Sequence, residues 1–212
     1  EAVLIPELLR QLPYSFFATS AIDAFIHAIE SYVSPKANLY TEMFSMKAME
    51  MIVGGFRKMA EHGKEYRMEL LDEFLTASNL AGIAFGNAGT GAVHAMSYPL
   101  SGVYHVTHGE ANYQFLVAVF ETYQQLNPDG KIRQLNHFLG GLLGCDESLA
   151  YQELEKLLDV IIARRQLREY GMKEGEIEEF AKSVEKSQTR LLNQSYVKFS
   201  WQQMAEIYRR LY

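Results

Sequence analysis

Apolar residues recur every three or four positions along most of the chain, which is the spacing of one face of an α-helix. The first such stripe lies between Pro13 and Pro35 and consists of Ile22, Phe25, Ile26, Ile29 and Val33. The same periodicity predicts further helices over 41–61, 65–85, 110–126, 131–143, 151–167 and 174–192. A capping box from Ser200 to Gln203 predicts a short terminal helix. No pair of alternating strands joined by a tight turn is found, so the sequence predicts an all-α fold.

The predicted helix over 41–61 carries a methionine-rich stripe. We expect Thr41 to cap this helix and Gly63 to end it. Unbranched methionine side chains fill irregular gaps, so the stripe favours core packing over a cofactor site. The residues expected to face inward are Met43, Phe44, Met46, Met49, Ile52, Val53 and Phe56.

Four polar side chains interrupt these apolar patterns and suggest a metal site. Asp23 and His27 are four residues apart, so on a helix they lie on one face, one turn apart. His94 and His108 follow downstream with proline and glycine between them, and a loop or broken helix could return His108 toward His94. Three imidazoles and one carboxylate suit Fe(II), Zn(II), Mn(II) or Co(II). The alternative is that each histidine is a hydrogen-bonded core residue.

Composition narrows the class of protein. The 212 residues, 48% of them hydrophobic, can bury a substantial core, and we favour a single domain over 1–212. The net charge of -6 gives no electrostatic reason to expect nucleic acid or an anionic membrane as partner. No apolar run approaches the ~20 residues of a membrane span. The single cysteine, Cys145, fits a reducing compartment, so we expect a cytoplasmic protein.

Two long motifs resemble those of a known enzyme family. Residues 18–32, Ala-Thr-Ser-Ala-Ile-Asp-Ala-Phe-Ile-His-Ala-Ile-Glu-Ser-Tyr, are similar to the first metal-binding helix of the iron-containing (group III) alcohol dehydrogenases. Residues 92–109 are similar to their second signature. The resemblance covers essentially the whole chain and implies the helical, dehydroquinate-synthase-like C-terminal domain of those enzymes. It also implies that Asp23, His27, His94 and His108 bind one catalytic ion, Fe(II) in most members and Zn(II) in some.

The resemblance implies further partners for the chain. Family members bind NAD(H) mainly through an N-terminal nucleotide-binding α/β domain, and nothing in this chain matches it. The chain also begins at Glu1 without an initiator methionine, so we expect that the N-terminal domain is absent and that the chain alone is inactive. We expect a small alcohol or aldehyde as substrate, and, since relatives are commonly dimers or larger, homo-oligomers of the full-length enzyme.

Shorter segments resemble one branch of the family, the 4-hydroxybutyrate dehydrogenases: 97–100, 102–105, 189–196 and 207–208. This branch implies interconversion of 4-hydroxybutyrate and succinate semialdehyde.

Many relatives carry a second histidine four residues after the third ligand as a proton relay, whereas this chain has Tyr98. Tyr98 could act as that relay or only shape the pocket. Phe85 matches an apolar residue near the substrate cavity of relatives, and it could either wall the site or pack in the core.

The sequence is also compatible with other functions. A related dehydrogenase could act on small neutral aldehydes, as lactaldehyde and 1,3-propanediol reductases do, and a helical metal-binding protein without catalysis is a different class. Di-iron bundles of that class use Glu-x-x-His pairs, and no histidine here has a glutamate three residues before it. A substrate carboxylate would need a cation, for which Lys198, Arg190 and His105 are candidates by their place next to the motifs.

Overall fold

The computed structural model describes residues 2–212, and regular secondary structure in this range is helical throughout. The α-helices are α1 (Tyr14–Val33), α2 (Leu39–His62), α3 (Leu71–Ala88), α4 (Ala92–Tyr104), α5 (His108–Leu126), α6 (Lys131–Leu143), α7 (Ala150–Ile161), α8 (Ile177–Ser187), α9 (Thr189–Leu192) and α10 (Trp201–Leu211). Short 3-10 turns occupy Pro6–Leu9, Lys64–Glu69, Glu147–Leu149, Leu167–Tyr170 and Glu174–Glu176. The predicted all-α fold is confirmed.

Helix α1 lies at the centre of the core, where it packs against α2, α3 and α5. Its predicted apolar stripe is buried as expected: Ile22, Phe25, Ile26 and Ile29 are fully inaccessible to solvent. Because neighbours cover α1 on several sides, some of its polar side chains are also buried, namely Thr19, Glu30 and Ser31. None of the described helices combines the length and apolar character needed to cross a bilayer.

The start of α2 differs from the prediction. The helix begins at Leu39 because Asn38 caps it: the Asn38 side chain accepts hydrogen bonds from the backbone N–H groups of Tyr40 and Thr41. Thr41 completes the capping box by accepting from the Asn38 N–H, so it is the third helical residue and not the cap. The end at Gly63 is as predicted. The expected inward position of Met43 is wrong, since this residue near the exposed first turn is 59% accessible.

Three other predicted helices have different bounds. The helix over 65–85 is a 3-10 turn followed by α3, which continues to Ala88 and ends at Gly89 with φ of 81°. The helix over 151–167 ends at Ile161, because Ile162 is extended and the N–H groups of Arg164 and Arg165 bond to side chains rather than to helical carbonyls. The helix over 174–192 is interrupted at Gln188.

The segment from Val93 to Gly109, interpreted as a loop or broken helix, is a helix–turn–helix. Helix α4 continues through Pro99 to Tyr104, and His105 adopts a left-handed conformation with φ of 55°. After this short turn α5 begins at His108. The turn returns the start of α5 toward the start of α4, which brings the two histidines of the motif together.

Candidate metal centre

The side chains of Asp23, His27, His94 and His108 converge on one point. One ligand-type atom from each lies within 4.8 Å of the others. The Asp23 carboxylate is 3.9 Å from His27 Nε2, 3.8 Å from His94 Nε2 and 3.9 Å from His108 Nε2. These separations are too long for hydrogen bonds. They are close to the roughly 3–4 Å between neighbouring ligands that bonds of about 2.0–2.2 Å to one ion produce.

A glycine allows His108 to reach this cluster. A Cβ atom on Gly109 would lie 2.5 Å from the carbonyl oxygen of Thr19 and 3.2 Å from the Asp23 Cβ. The first turn of α5 therefore rests directly on the backbone of α1, which only glycine permits here. His108 precedes this contact and is held beside the Asp23 carboxylate.

His94 has the most constrained environment of the four. Its Nδ1 lies 2.6 Å from Oε2 of the buried Glu30, and Oε1 of Glu30 accepts a hydrogen bond of 2.7 Å from the Val93 N–H. Burial lowers the pKa of His94, but the hydrogen bond and charge of Glu30, together with Asp23, outweigh it and raise the pKa overall. In the metal-free protein the two carboxylates thus favour the protonated ring.

The other ring nitrogen of His94 lacks a partner. Nε2 is buried and forms no hydrogen bond with any described residue. An unpartnered buried polar atom costs about 1–3 kcal/mol. Since this atom faces the Asp23 carboxylate and the other two imidazoles, a cation bound between them would supply the missing partner. The donor set of three nitrogens and a carboxylate fits a divalent transition metal.

Asn112 links two members of the cluster. Its Nδ2 donates to Asp23 Oδ1 at 2.7 Å and lies 3.1 Å from His108 Nε2. Its Oδ1 accepts from the hydroxyl of Ser97, whose oxygen also lies 2.9 Å from the His94 carbonyl oxygen. The fully buried amide therefore fixes the Asp23 carboxylate relative to α4 and α5.

Phe85 lies against the cluster. Its ring stacks on the His27 ring with centroids 4.1 Å apart and an angle of 16° between the planes. Burial lowers the pKa of His27 to about 4, although the Asp23 charge acts in the opposite direction. At neutral pH the His27 ring is therefore uncharged, which is the form that can bind a metal.

Tyr98 follows His94 by one helical turn on α4. Its ring centroid is 6.3 Å from that of His108, and the residue is 36% exposed. It also lines a cavity of about 350 Å³ together with Phe180 and Val184 of α8. Tyr98 is thus placed at the edge of the cluster rather than among its ligand atoms.

An open cleft of about 340 Å³ lies above the cluster. Asp23, His27 and His108 form part of its wall, together with Phe16 and Thr107. The sequence suggested three cations that could bind a substrate carboxylate. These residues, Arg190, Lys198 and His105, do not line this cleft.

Glu30 and Asn112 are not among the site residues predicted from the sequence. Each of these residues has a sequence feature that could have indicated its place in the site. Glu30 is a charged residue among apolar positions of a helix, one heptad after Asp23, and such a residue needs a buried partner. Asn112 follows His108 by four residues and so shares its helical face.

Known proteins resemble this chain along its whole length. The sequence model of the Fe-containing alcohol dehydrogenase family, C-terminal part, matches residues 17–212. The 4-hydroxybutyrate dehydrogenase of Clostridium kluyveri is 57% identical over 100% of this chain and 57% of its own length. The 1,3-propanediol dehydrogenase of Citrobacter freundii is 31% identical over 98% of this chain and 54% of its own. This chain therefore spans little more than half the length of these relatives.

Solved structures share the fold. The crystal structure of a 1,3-propanediol oxidoreductase superposes with a TM-score of 0.81 at 28% identity, over 98% of this chain and 54% of that one. An iron-containing alcohol dehydrogenase from Thermococcus thioreducens gives a TM-score of 0.86 at 24% identity, over 100% of this chain and 54% of that one. By sequence and by fold, this chain belongs to the iron-containing alcohol dehydrogenase family and corresponds to its C-terminal helical part.

Proposed function

We propose that residues 1–212 form the single metal-binding domain of an NAD(H)-dependent alcohol dehydrogenase that interconverts 4-hydroxybutyrate and succinate semialdehyde. The observation that carries the proposal is the buried Nε2 of His94, which has no hydrogen-bond partner among residues 2–212 and faces Asp23, His27 and His108. A site of this kind at the floor of an open cleft suits an enzyme that activates a small oxygen-bearing substrate.

Asp23, His27, His94 and His108 are the residues that would hold the ion, which we propose to be Fe(II) or alternatively Zn(II). When bound, the metal polarises the substrate oxygen and the nicotinamide supplies or accepts the hydride. The surrounding residues orient the side chains that would hold the ion. Glu30 fixes the ring of His94, and Asn112 fixes the carboxylate of Asp23.

Two aromatic side chains are assigned supporting roles. Phe85 keeps the His27 ring in its orientation through the stacked contact. Phe85 does not itself line the cleft, so its role as a wall of the substrate space stays a prediction. For Tyr98 we propose that its ring shapes the pocket beside His108. A relay role for its hydroxyl is the alternative, and the two make different predictions for removal of that hydroxyl.

Sequence similarity supports the choice of substrate. The relative at 57% identity is a 4-hydroxybutyrate dehydrogenase, whereas the relative named for 1,3-propanediol is 31% identical. We therefore propose a carboxylate-bearing aldehyde as substrate in preference to a neutral one.

The relatives also support a longer protein. Because the chain matches only 57% of the length of the 4-hydroxybutyrate dehydrogenase, we propose that most contacts to NAD(H) come from a domain outside these residues. We further propose that the full-length enzyme is a homo-oligomer. The 212-residue chain alone is then expected to bind metal without oxidising NADH.

The proposal is tested on the full-length protein, purified without oxygen and reconstituted with Fe(II) or Zn(II). NADH oxidation is followed with succinate semialdehyde, butanal and 3-hydroxypropanal. The proposal predicts a kcat/KM for succinate semialdehyde at least tenfold above both neutral aldehydes. A preference for 3-hydroxypropanal would point to the neutral-substrate class, and no oxidation with any of the three aldehydes would contradict the proposed activity.

A further inference from the structure

A second cavity, of about 370 Å³, adjoins the cleft above the metal cluster. The two spaces share Phe16, Thr19 and Thr107 as lining residues, so they form one groove between α1 and the start of α5. The cleft ends at the ligand atoms of the cluster. The second cavity is also lined by Arg165 and Glu110, which do not line the cleft.

The groove follows one face of α1. Ser15 and Thr19 line the second cavity, Thr19 and Asp23 line the cleft, and these residues are spaced by four. Four residues of an α-helix advance about 6 Å. A ligand with an oxygen at the cluster would therefore reach the second cavity with a group roughly one or two turns, or about 6–12 Å, away.

Arg165 is an exposed residue whose guanidinium lies over an aromatic ring and is not paired with a carboxylate of the described residues. Its guanidinium lies 5.6 Å from the ring centroid of Tyr170, and its backbone N–H donates to Gln114 Oε1 at 3.0 Å. Its neighbour Arg164 is paired with Glu155 at 2.6 Å. No carboxylate within residues 2–212 comes within 4.0 Å of the Arg165 guanidinium.

Glu110, the acid that shares this cavity, is engaged elsewhere. One of its oxygens accepts a hydrogen bond of 2.9 Å from the Tyr170 hydroxyl. The other accepts a longer one of 3.4 Å from Thr107. Tyr170 thus lies between the two charges, since its ring faces Arg165 while its hydroxyl holds Glu110. The donors of Arg165 stay available to a ligand.

We propose that Arg165 forms an anion-binding subsite of the groove, which binds an anionic group of a substrate or cofactor that occupies the groove beside the metal cluster. A guanidinium binds carboxylate and phosphate through two parallel hydrogen bonds. The anion is either the substrate carboxylate or a phosphate of the dinucleotide. The choice of these two candidate anions rests on the proposed function. The presence of an arginine without a carboxylate partner among residues 2–212 does not.

The test compares Arg165→Gln with Arg168→Gln in the metal-loaded full-length protein. Arg168 is an exposed arginine on the adjacent 3-10 turn that lines neither space, so it controls for the loss of one surface charge. KM is measured for succinate semialdehyde, for butanal and for NADH. The calorimetric Kd of 4-hydroxybutyrate and of NADH provides a readout that needs no turnover.

A substrate subsite predicts that Arg165→Gln raises KM for succinate semialdehyde and Kd for 4-hydroxybutyrate by about 10- to 100-fold. KM for butanal and for NADH would then stay within about twofold. A cofactor subsite predicts the same rise in KM and Kd for NADH with either aldehyde. Both outcomes support the proposal and identify the anion.

Unchanged KM and Kd for every ligand, or equal changes in Arg168→Gln, would overturn the subsite. Failure of the proposed function is distinguishable from this result. In that case the unmodified protein would not turn over succinate semialdehyde, and the Kd for NADH or 4-hydroxybutyrate would still report whether Arg165 binds an anion.

Discussion

Glu30 and His94 form a buried hydrogen-bonded pair, with Oε2 of Glu30 2.6 Å from Nδ1 of His94. The two residues are only 2% and 3% exposed. The pair determines which ring nitrogen faces the cluster, because Nδ1 is engaged and Nε2 alone is left for an ion. A carboxylate in this position also makes the imidazole a stronger ligand.

Replacement of Glu30 by Gln should therefore weaken metal binding. The amide can still hydrogen-bond, but the charge is lost, and removal of such an outer partner typically lowers metal affinity about 10- to 100-fold. The Kd for Zn(II) can be measured by competition with a chromogenic chelator. Glu50→Gln, an exposed glutamate paired with Lys47, serves as control and should leave the Kd unchanged. Equal affinities in both variants would mean that the buried pair does not support the site.

Gly109 sets the approach of α5 to α1. A Cβ atom there would lie 2.5 Å from the Thr19 carbonyl oxygen, so Gly109→Ala must push the helices apart. We expect a loss of about 1–3 kcal/mol in the free energy of unfolding and a weaker Zn(II) site. Urea unfolding measures the first effect.

The control for this substitution is Gly102→Ala on α4. A Cβ at Gly102 would have no atom within 4 Å, and alanine favours the helix by up to about 1 kcal/mol. If Gly109→Ala were as stable as Gly102→Ala, the inferred backbone contact would be wrong.

Phe85 supports His27 by stacking. Phe85→Ala removes a contact of the kind that is worth about 0.5–1.5 kcal/mol, so the Kd for Zn(II) should rise by roughly two- to tenfold with the stoichiometry kept. Ile83→Ala, an exposed position on the same helix, should bind like the unchanged protein. Wild-type affinity in Phe85→Ala would show that the ring does not orient His27.

Tyr98 is tested by removal of its hydroxyl alone. Tyr98→Phe keeps the ring beside His108, so in the full-length enzyme we expect kcat within about threefold of the unchanged enzyme, since general acid–base groups contribute about 10²–10⁴-fold. A loss of kcat above about 100-fold, accompanied by a changed pH profile, would favour the relay role instead.

Local patterns predicted the parts of this site that lie within one helix. Asp23 and His27 share a face of α1 because four residues nearly complete a turn, and helical periodicity places both at the border of a buried stripe. The closeness of His94 and His108 depends on a left-handed turn at His105, which has no strong sequence signature in a non-glycine residue. The resemblance to the family motif predicted that His94 and His108 are close, and helical periodicity alone could not predict it.

Helix ends were predicted less well, for physical reasons. The helix expected over 151–167 ends at Ile161 because the Asp159 and Gln114 side chains accept the backbone N–H groups of Arg164 and Arg165. Gln114 lies on α5, far away in sequence, so no local pattern contains this interaction. The same holds for Glu30, whose partner His94 is 64 residues downstream.

The central claim is that the four converging side chains bind one metal ion, and elemental analysis of anaerobically purified protein tests it most directly. His94→Ala and His27→Ala are compared with His137→Ala, a substitution at an exposed histidine that is not part of the cluster. Circular dichroism confirms that each variant keeps its helices. The account predicts one equivalent of metal in the unchanged protein and in His137→Ala, and almost none in the other two variants. Stoichiometric metal retained by helical His94→Ala and His27→Ala would contradict it.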